Sequence, residues 1–152
     1  MLEKALTVAP DALVPDMEDS VPAAEKANAR ETTAKFLPRL AALGRPVIPR
    51  VNALETEWIE ADLEAVVGPH VFGVSVGKVR RAGDIAAVSA LISKLESRAG
   101  LAVGTLHLVP WIETAEAIVN VTEICRASER VVAVAFGGGD FTNRMGVEGL
   151  AD

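Results

Sequence analysis

Polar and charged residues stand at the end of each of five short apolar runs in this sequence. The runs are rich in Val, Ile, Leu and Ala. If each run is a parallel strand, these side chains lie at the carboxyl ends of the strands, where α/β proteins build their active sites. They are Asp16, Glu18 and Asp19 after the first run, Arg50 and Asn52 at the end of the second, Lys78 in the third, Glu113 after the fourth and Asp140 after the fifth.

Glu113 and Asp140 have the chemistry of a hard-metal site. Mg²⁺ takes one or two protein carboxylates and leaves its other positions to water and substrate oxygens. Arg50 offers a planar guanidinium that fits a substrate carboxylate. A metal on a carbonyl oxygen and an arginine on a carboxylate suit a 2-oxo acid or its enolate. The glycines at 137–139 let the backbone approach a ligand closely, and the sequence has neither of the common glycine-rich phosphate loops.

Each of these residues also has a purely structural explanation. Acidic residues such as Asp19 and Glu113 suit the N-terminus of a helix. Arg50 and Lys78 can extend along apolar surface to reach water, and Asp140 can be an ordinary loop residue. For any one of these residues, the structural explanation and the functional explanation have equal weight. The recurrence of charge at equivalent places in successive units favours a common site.

The apolar runs alternate with helical patterns along the chain. This alternation predicts right-handed βαβ units and a parallel sheet. The predicted strands are Ala12–Asp16, Pro46–Asn52, Val71–Val79, Thr105–Glu113 and Val131–Gly137. The predicted helices are Pro22–Ala42, bent or divided at Pro38, then Glu57–Val67, Asp84–Arg98 and Thr114–Ser128.

Two architectures fit this pattern, an open doubly wound sheet and a (β/α) TIM barrel. The 152 residues favour the open sheet, because a complete barrel needs about 250 residues. The charged strand ends favour the barrel, because in an open sheet only the ends beside a switch point can meet. We therefore predict a single domain over residues 1–152, an incomplete (β/α) barrel.

Composition excludes several classes of function. The net charge of −6 makes a nucleic acid partner improbable, since an acidic chain gains nothing from counterion release. No apolar stretch approaches the roughly 20 residues of a membrane span, and no signal peptide is recognisable. The single cysteine, Cys125, excludes a disulfide framework. These observations predict a cytoplasmic protein without a membrane partner.

Short motifs along nearly the whole chain resemble the citrate lyase beta-subunit and malyl-CoA lyase family, within the HpcH/HpaI aldolase-like superfamily. The segment from Asp16 to Val21, followed by Lys26 and Arg30, resembles that family's DLEDSV signature and the lysine and arginine that follow it. Four further segments follow in family order. They are Arg50-Val51-Asn52, Gly77-Lys78-Val79 (with Gly where proline is usual), Ile112-Glu113-Thr114-Ala115, and the run from Phe136 to Phe141.

The resemblance implies a barrel enzyme that makes or cleaves carbon–carbon bonds beside a CoA thioester with Mg²⁺ or Mn²⁺. By motif, Glu113 and Asp140 hold the metal and Arg50 the oxo-acid carboxylate. Glu18 and Asp19 are catalytic together with Arg50. Asn52, Lys78, Gly138 and Gly139 line the substrate site. The partners implied are a small 2-oxo acid, an acyl-CoA and further copies of the chain, as trimers or multiples of trimers.

Departures from the family pattern qualify this expectation. The opening strand of the family, with its arginine, and its C-terminal lid are not found here, and Arg144 stands where relatives often have an acid. The chain is thus expected to cover about strands two to six of the eight-stranded barrel. Three functions remain open: a lyase acting on citryl-, malyl- or citramalyl-CoA through a metal-stabilised 2-oxo acid enolate and impaired by truncation, a non-catalytic subunit or assembly partner, and an aldolase on free 2-oxo acids.

Overall fold

Four strands pair side by side in the order in which they occur in the chain. The structure is a computed structural model, and it describes residues 2–147. All strand pairs are parallel, and the sheet order is β1-β2-β3-β4. The strands are β1 (Arg50–Val51), β2 (Gly73–Val79), β3 (His107–Ile112) and β4 (Ala135–Phe136).

Helices connect the strands and follow the last one. A short 3₁₀ turn, Ala23–Glu25, precedes the second helix. The α-helices are α1 (Leu2–Ala5), α2 (Lys26–Ala41), α3 (Ile59–Val66), α4 (Ala82–Arg98), α5 (Ala115–Val119), α6 (Val121–Arg126) and α7 (Gly138–Arg144).

The strand order decides between the two predicted architectures. A doubly wound sheet reverses its order at a switch point, and this sheet has no reversal. Consecutive helices also pack on one another, α2 on α3, α3 on α4 and α4 on α6, as they do when all lie on one face of the sheet. The described residues therefore form an α/β fold with a parallel sheet, and the strand order is that of a (β/α) barrel and not that of a doubly wound sheet. The chain's coverage of strands two to six stays a prediction.

The first two predicted strands are shorter than expected. The segment before β1 forms only isolated parallel bridges, from Leu13 to Val47 and from Asp16 to Arg50. Pro15 and Pro49 explain the gaps, because proline has no N–H to donate to a ladder. The backbone still follows its neighbour, since the Arg50 N–H donates to the Pro15 carbonyl at 2.8 Å. The last predicted strand is likewise reduced to two residues, with one further bridge from Leu108 to Val131.

Two of the predicted helices also differ from expectation. Helix α2 is continuous through Pro38, so the predicted division is wrong. Pro38 lies in the last turn, where only one backbone hydrogen bond is lost. The predicted helix Thr114–Ser128 is instead two helices, α5 and α6, separated at Asn120. The Asn120 side chain donates to the Arg80 carbonyl at 3.1 Å, which ties this break to the end of β2.

The core lies between β2 and the helix layer. Almost every residue of β2 is buried, as expected for a central parallel strand. Helix α4 presents Ile85, Val88 and Ile92 to the sheet at helical spacing, and all three are almost inaccessible to solvent. This packing fixes the carboxyl ends of the strands, where the candidate site lies.

Candidate active site

A network of ion pairs joins the ends of the first three strand segments. The Arg50 Nε and Nη2 donate to the two Asp16 oxygens at 2.8 and 2.5 Å. The Arg50 Nη1 lies 3.2 Å from Glu18 Oε2, and the guanidinium lies 4.9 Å from the centre of the Trp111 ring. Asp16 therefore occupies the Nε and Nη2 side of the predicted guanidinium fork, and the Nη1 side forms longer ion pairs with Glu18 Oε2 at 3.2 Å and Asp19 Oδ2 at 3.7 Å.

Asp16 is held in its ionised form by this contact. Burial raises the pKa of Asp16, but hydrogen bonds from Arg50 and Ser20 outweigh it and hold the pKa well below its usual range. The same Asp16 hydrogen bond raises the pKa of Arg50. The Asp16–Arg50 ion pair at the carboxyl end of the sheet is thus permanent, because neither partner changes charge near neutral pH.

Lys78 binds the two acids that follow Asp16. Its Nζ donates to Glu18 Oε1 and to Asp19 Oδ1, each at 2.7 Å. Burial lowers the pKa of Lys78, but these two carboxylates raise it by more, so the ammonium stays charged. The predicted substrate contact for Lys78 is untested, and in this structure its ammonium is already engaged by protein carboxylates.

Glu18 and Asp19 differ in their environments. Glu18 is 3 % exposed, and its buried Oε2 atom accepts no hydrogen bond among the described residues, although the charged Arg50 Nη1 lies 3.2 Å away. Burial raises the pKa of Glu18 more than Lys78 lowers it. Asp19 reaches solvent. Burial raises the pKa of Asp19, but Lys78, together with Glu18 and Arg50, outweighs this and holds the pKa below its usual range. Of the two predicted catalytic acids, Asp19 is therefore the accessible one.

Glu113 lies at the end of β3, only 2 % exposed. Its Oε2 accepts the Lys78 backbone N–H at 2.9 Å. Burial and the negative charges of Asp140 and Asp19 raise the pKa of Glu113, and the contacts from Lys78 oppose only part of this rise. A cation bound near these carboxylates would relieve their mutual repulsion.

Asp140 stands in the first turn of α7, near enough to Glu113 for its negative charge to raise the pKa of that carboxyl group. Gly138 and Gly139 lie in the same turn, and a side chain added at Gly139 would meet open space. Within residues 2–147, no group of three or more His, Cys, Asp or Glu side chains is placed to hold a metal. The Glu113–Asp140 pair is therefore the donor set to consider, and Mg²⁺ commonly binds with only one or two carboxylates.

The side chain of Asn52 is buried and contacts protein oxygens. Its side chain is 2 % exposed. The Nδ2 atom donates to Asp62 Oδ2 at 2.6 Å and to the Met17 carbonyl at 3.0 Å. The Asn52 amide thus donates to protein oxygens in this structure, and its predicted contact with substrate stays a prediction. Asn52 fixes the backbone beside Glu18.

Sequence reasoning missed the buried residues that support this loop. Asp62 is fully buried in α3, where its other oxygen accepts the Arg30 Nε at 2.9 Å. The Lys26 Nζ donates to the carbonyls of Met17 and Glu18 at 3.0 and 2.7 Å. A signal existed for Asp62, which shares the apolar face of its helix with Ile59 and Val66. An acid on a buried face needs a partner.

A second buried network lies at the opposite end of the sheet. Arg130 donates to both Glu96 oxygens at 2.9 and 2.6 Å, and also to the Leu106 carbonyl. Glu96 accepts the backbone N–H groups of Gly104 and Leu106 as well. These residues lie at the amino end of β3, away from the cluster around Glu113. They stabilise the fold rather than the site.

The profile of the HpcH/HpaI aldolase/citrate lyase family matches residues 1–152. The chain belongs to this family. It is 34 % identical to the citrate lyase subunit beta of Escherichia coli over 97 % of this chain and 49 % of that protein. It is 35 % identical to a (3S)-malyl-CoA thioesterase of Cereibacter sphaeroides over 95 % of this chain and 47 % of that protein. The chain thus spans about half the length of the curated relatives it matches.

Solved structures share the fold at lower sequence identity. A malate synthase of Haloferax volcanii in complex with magnesium and glyoxylate superposes with a TM-score of 0.85 at 21 % identity, covering 95 % of this chain and 48 % of that one. The citrate lyase beta subunit of M. tuberculosis, complexed with oxaloacetate and magnesium, gives 0.71 at 24 % identity, covering 97 % and 56 %. Over residues 2–147, no helix is long and apolar enough to cross a membrane.

Proposed function

We propose that this chain carries the metal and 2-oxo acid site of a carbon–carbon lyase that acts on a 3-hydroxyacyl-CoA such as citryl-, malyl- or citramalyl-CoA. The observation that supports this most directly is the burial of Glu113, whose pKa is raised by that burial and by the negative charge of Asp140 while it accepts the Lys78 N–H. Family membership supports the reaction class. The activity of the chain by itself is part of the proposal.

The residues fit a divalent metal. Glu113 Oε2 accepts the Lys78 N–H, which leaves Oε1 for a cation, and the nearby Asp140 would supply a second carboxylate. The donors are all oxygen, which suits Mg²⁺ or Mn²⁺ and not zinc. A divalent cation held there by Glu113 and Asp140 would supply positive charge to stabilise the negative charge that develops on a substrate oxygen during carbon–carbon cleavage.

Arg50 and Asp19 are the groups of this chain that meet the substrate. The Arg50 Nη1 has the longest carboxylate contacts of the guanidinium, 3.2 Å to Glu18 and 3.7 Å to Asp19, and it is the atom that would turn to the substrate carboxylate while Asp16 holds Nε and Nη2. Asp19 is accessible and orders the water or hydroxyl beside it. Glu18, buried and bound to Lys78, holds that lysine in place.

The movement of electrons during cleavage determines which of the two products is formed as an enolate. Cleavage of a 3-hydroxyacyl-CoA removes the hydroxyl proton, breaks the C2–C3 bond and leaves the electron pair on the α-carbon of the thioester. The 2-oxo acid then leaves with its former hydroxyl carbon as a carbonyl group, and the enolate belongs to the acyl-CoA, where it takes up a proton. This revises the expectation of a 2-oxo acid enolate, which applies to an aldolase that acts on free 2-oxo acids. The position of the enolate therefore separates the two enzymatic alternatives.

One comparison favours a second candidate reaction. The Cereibacter sphaeroides relative is named for thioester hydrolysis, and it is as similar to this chain as the citrate lyase subunits are. Hydrolysis releases CoA and leaves the carbon–carbon bond of the acyl group intact. A non-catalytic subunit remains the alternative in which neither reaction occurs. Assembly into trimers stays a prediction.

The first experiment measures Mn²⁺ and Mg²⁺ binding by calorimetry, with and without oxaloacetate, on the chain, on Glu113→Gln and on Glu123→Gln. Glu123 is an exposed glutamate of α6 and serves as the matched control. We expect binding that strengthens with oxaloacetate, is lost in Glu113→Gln and is unchanged in Glu123→Gln. A folded chain that binds neither metal refutes the proposed site and leaves the non-catalytic alternative.

The second experiment incubates the chain with malyl-CoA and analyses all products. Acetyl-CoA with glyoxylate indicates lyase activity, whereas free CoA with malate indicates hydrolysis. Metal binding without either product means that the site is formed but turnover needs residues from elsewhere in the protein.

A further inference from the structure

Lys78 has a backbone conformation that a residue with a side chain rarely adopts. Its φ is +57°, and among residues 2–147 every other residue with positive φ is a glycine. The left-handed region is disfavoured for L-residues because the Cβ atom approaches the backbone. Such strain persists where surrounding contacts impose it, and it concentrates at functional sites.

The strain lies in a local irregularity of β2. Strands β2 and β3 are paired in register from Gly73 to Val76, and the register shifts before Val79 pairs with Ile112. Gly77 and Lys78 occupy the shift. Because Lys78 is outside the regular ladder, its N–H is free to turn toward the end of β3, where it donates to Glu113 Oε2 at 2.9 Å.

Glu113 is confined from the other side as well. A Cβ atom added at Gly137 would lie 2.4 Å from Glu113 Cγ, so the side chain rests directly against that glycine. The carboxylate therefore has one position, between the Gly137 backbone and the Lys78 N–H. The Lys78 ammonium meanwhile donates to Glu18 and Asp19, which engages two of its three N–H groups and holds the side chain on the side of these acids.

We propose that Lys78 is a positioning residue, whose left-handed backbone aims its N–H at Glu113 and so sets the orientation of that carboxylate before a ligand binds. The inference rests on the proposed function only in naming Glu113 as a metal ligand. It assigns Lys78 a task beyond the substrate contact expected from the sequence. The strain is the consequence of directing the N–H toward Glu113 instead of into the ladder.

A matched pair of substitutions isolates the backbone from the charge. Lys78→Gly and Lys78→Val both remove the ammonium, but glycine adopts positive φ freely and valine resists it. Mn²⁺ affinity is measured for both by electron paramagnetic resonance. We expect Lys78→Gly to bind Mn²⁺ more tightly than Lys78→Val by roughly five- to thirtyfold. Equal affinities in two folded variants overturn the proposal. If Lys78→Val does not fold, Lys78→Ala replaces it, with the same expected direction.

Amide hydrogen exchange separates this inference from the metal site. The residue 78 amide is followed by NMR without metal, in the unsubstituted chain and in Glu113→Ala. We expect its exchange to accelerate in Glu113→Ala by at least tenfold, while the Val74 amide within β2 is unchanged. Protection of this amide in a chain that binds no metal would refute the proposed function and leave the positioning role standing. Unchanged exchange in Glu113→Ala would refute the positioning role itself.

Discussion

Replacement of Gly137 by alanine tests whether Glu113 must occupy its observed position. Gly137 has an ordinary φ of −89°, so alanine causes no backbone strain there. The added methyl group, however, would lie 2.4 Å from Glu113 Cγ and 2.6 Å from its Oε1. Ordinary contact begins at 3.4 Å, so Glu113 has to move by about 1 Å (3.4 minus 2.4).

This displacement is large on the scale of metal coordination. Bonds from Mg²⁺ to oxygen are about 2.0–2.1 Å and tolerate little change in geometry. A shift of about 1 Å also breaks the 2.9 Å hydrogen bond from the Lys78 N–H. Loss of groups that orient a metal ligand typically costs about 10–100-fold in metal affinity. We expect a loss in that range, with a decrease of about 1–3 kcal/mol in the free energy of unfolding from overpacking.

Calorimetry with Mn²⁺ and urea denaturation of the same samples measure both quantities. Gly139→Ala is the matched control, because nothing lies within 4 Å of its added methyl group and the residue is helical. We expect the control to keep its metal affinity and to gain slightly in stability, since alanine favours helix. A folded Gly137→Ala chain that binds Mn²⁺ as tightly as the unsubstituted chain would refute the assigned position of Glu113.

Two further predictions concern stability. Because the folded chain binds a proton at Asp16 more weakly than the unfolded chain does, the stability that Asp16 contributes is fully present above about pH 4 and is lost as the pH falls below it. Urea unfolding at several pH values should therefore show that the difference between the chain and Asp16→Asn shrinks on acidification, and a difference independent of pH would contradict this. Arg130→Met leaves the fully buried Glu96 without its cation and should lower the free energy of unfolding by about 3–5 kcal/mol. The double variant with Glu96→Gln should be less destabilised than Arg130→Met alone, and a single-variant loss below about 1 kcal/mol would show that the pair is not needed.

Regular periodicity made part of the fold predictable. The apolar stripe of Ile85, Val88 and Ile92 predicted helix α4 to within two residues of its observed start. The strongly apolar run through Val74 and Val76 predicted β2 equally well. Predictions failed where a single residue changes the backbone. Prolines shortened the strand segments around Arg50, and Asn120 divided the last long helix by bonding to a distant carbonyl.

The residues of the site were predictable from the sequence, but the contacts between their side chains were not. The charges at the strand ends were recognisable because each follows an apolar run, and the structure brings Asp16, Glu18, Asp19, Arg50, Lys78 and Glu113 together as that pattern suggests. The sequence did not predict that Asp16 occupies the Arg50 guanidinium, or that Asn52 faces Asp62. These pairs are 34 and 10 residues apart, and only the packing of the intervening helices brings them into contact.

The sequence by itself determined the alternation of strands and helices, the family and the chemical types gathered at one edge of the sheet. These depend on side-chain periodicity and on short motifs, which are local properties of a chain. The tertiary structure alone decided the strand order, the partner of each charge and the left-handed backbone of Lys78. Those features depend on contacts between segments that are distant in sequence, such as Lys78 with Glu18, 60 residues away. No local pattern encodes such contacts, because they form only when the parallel strands align at a common edge.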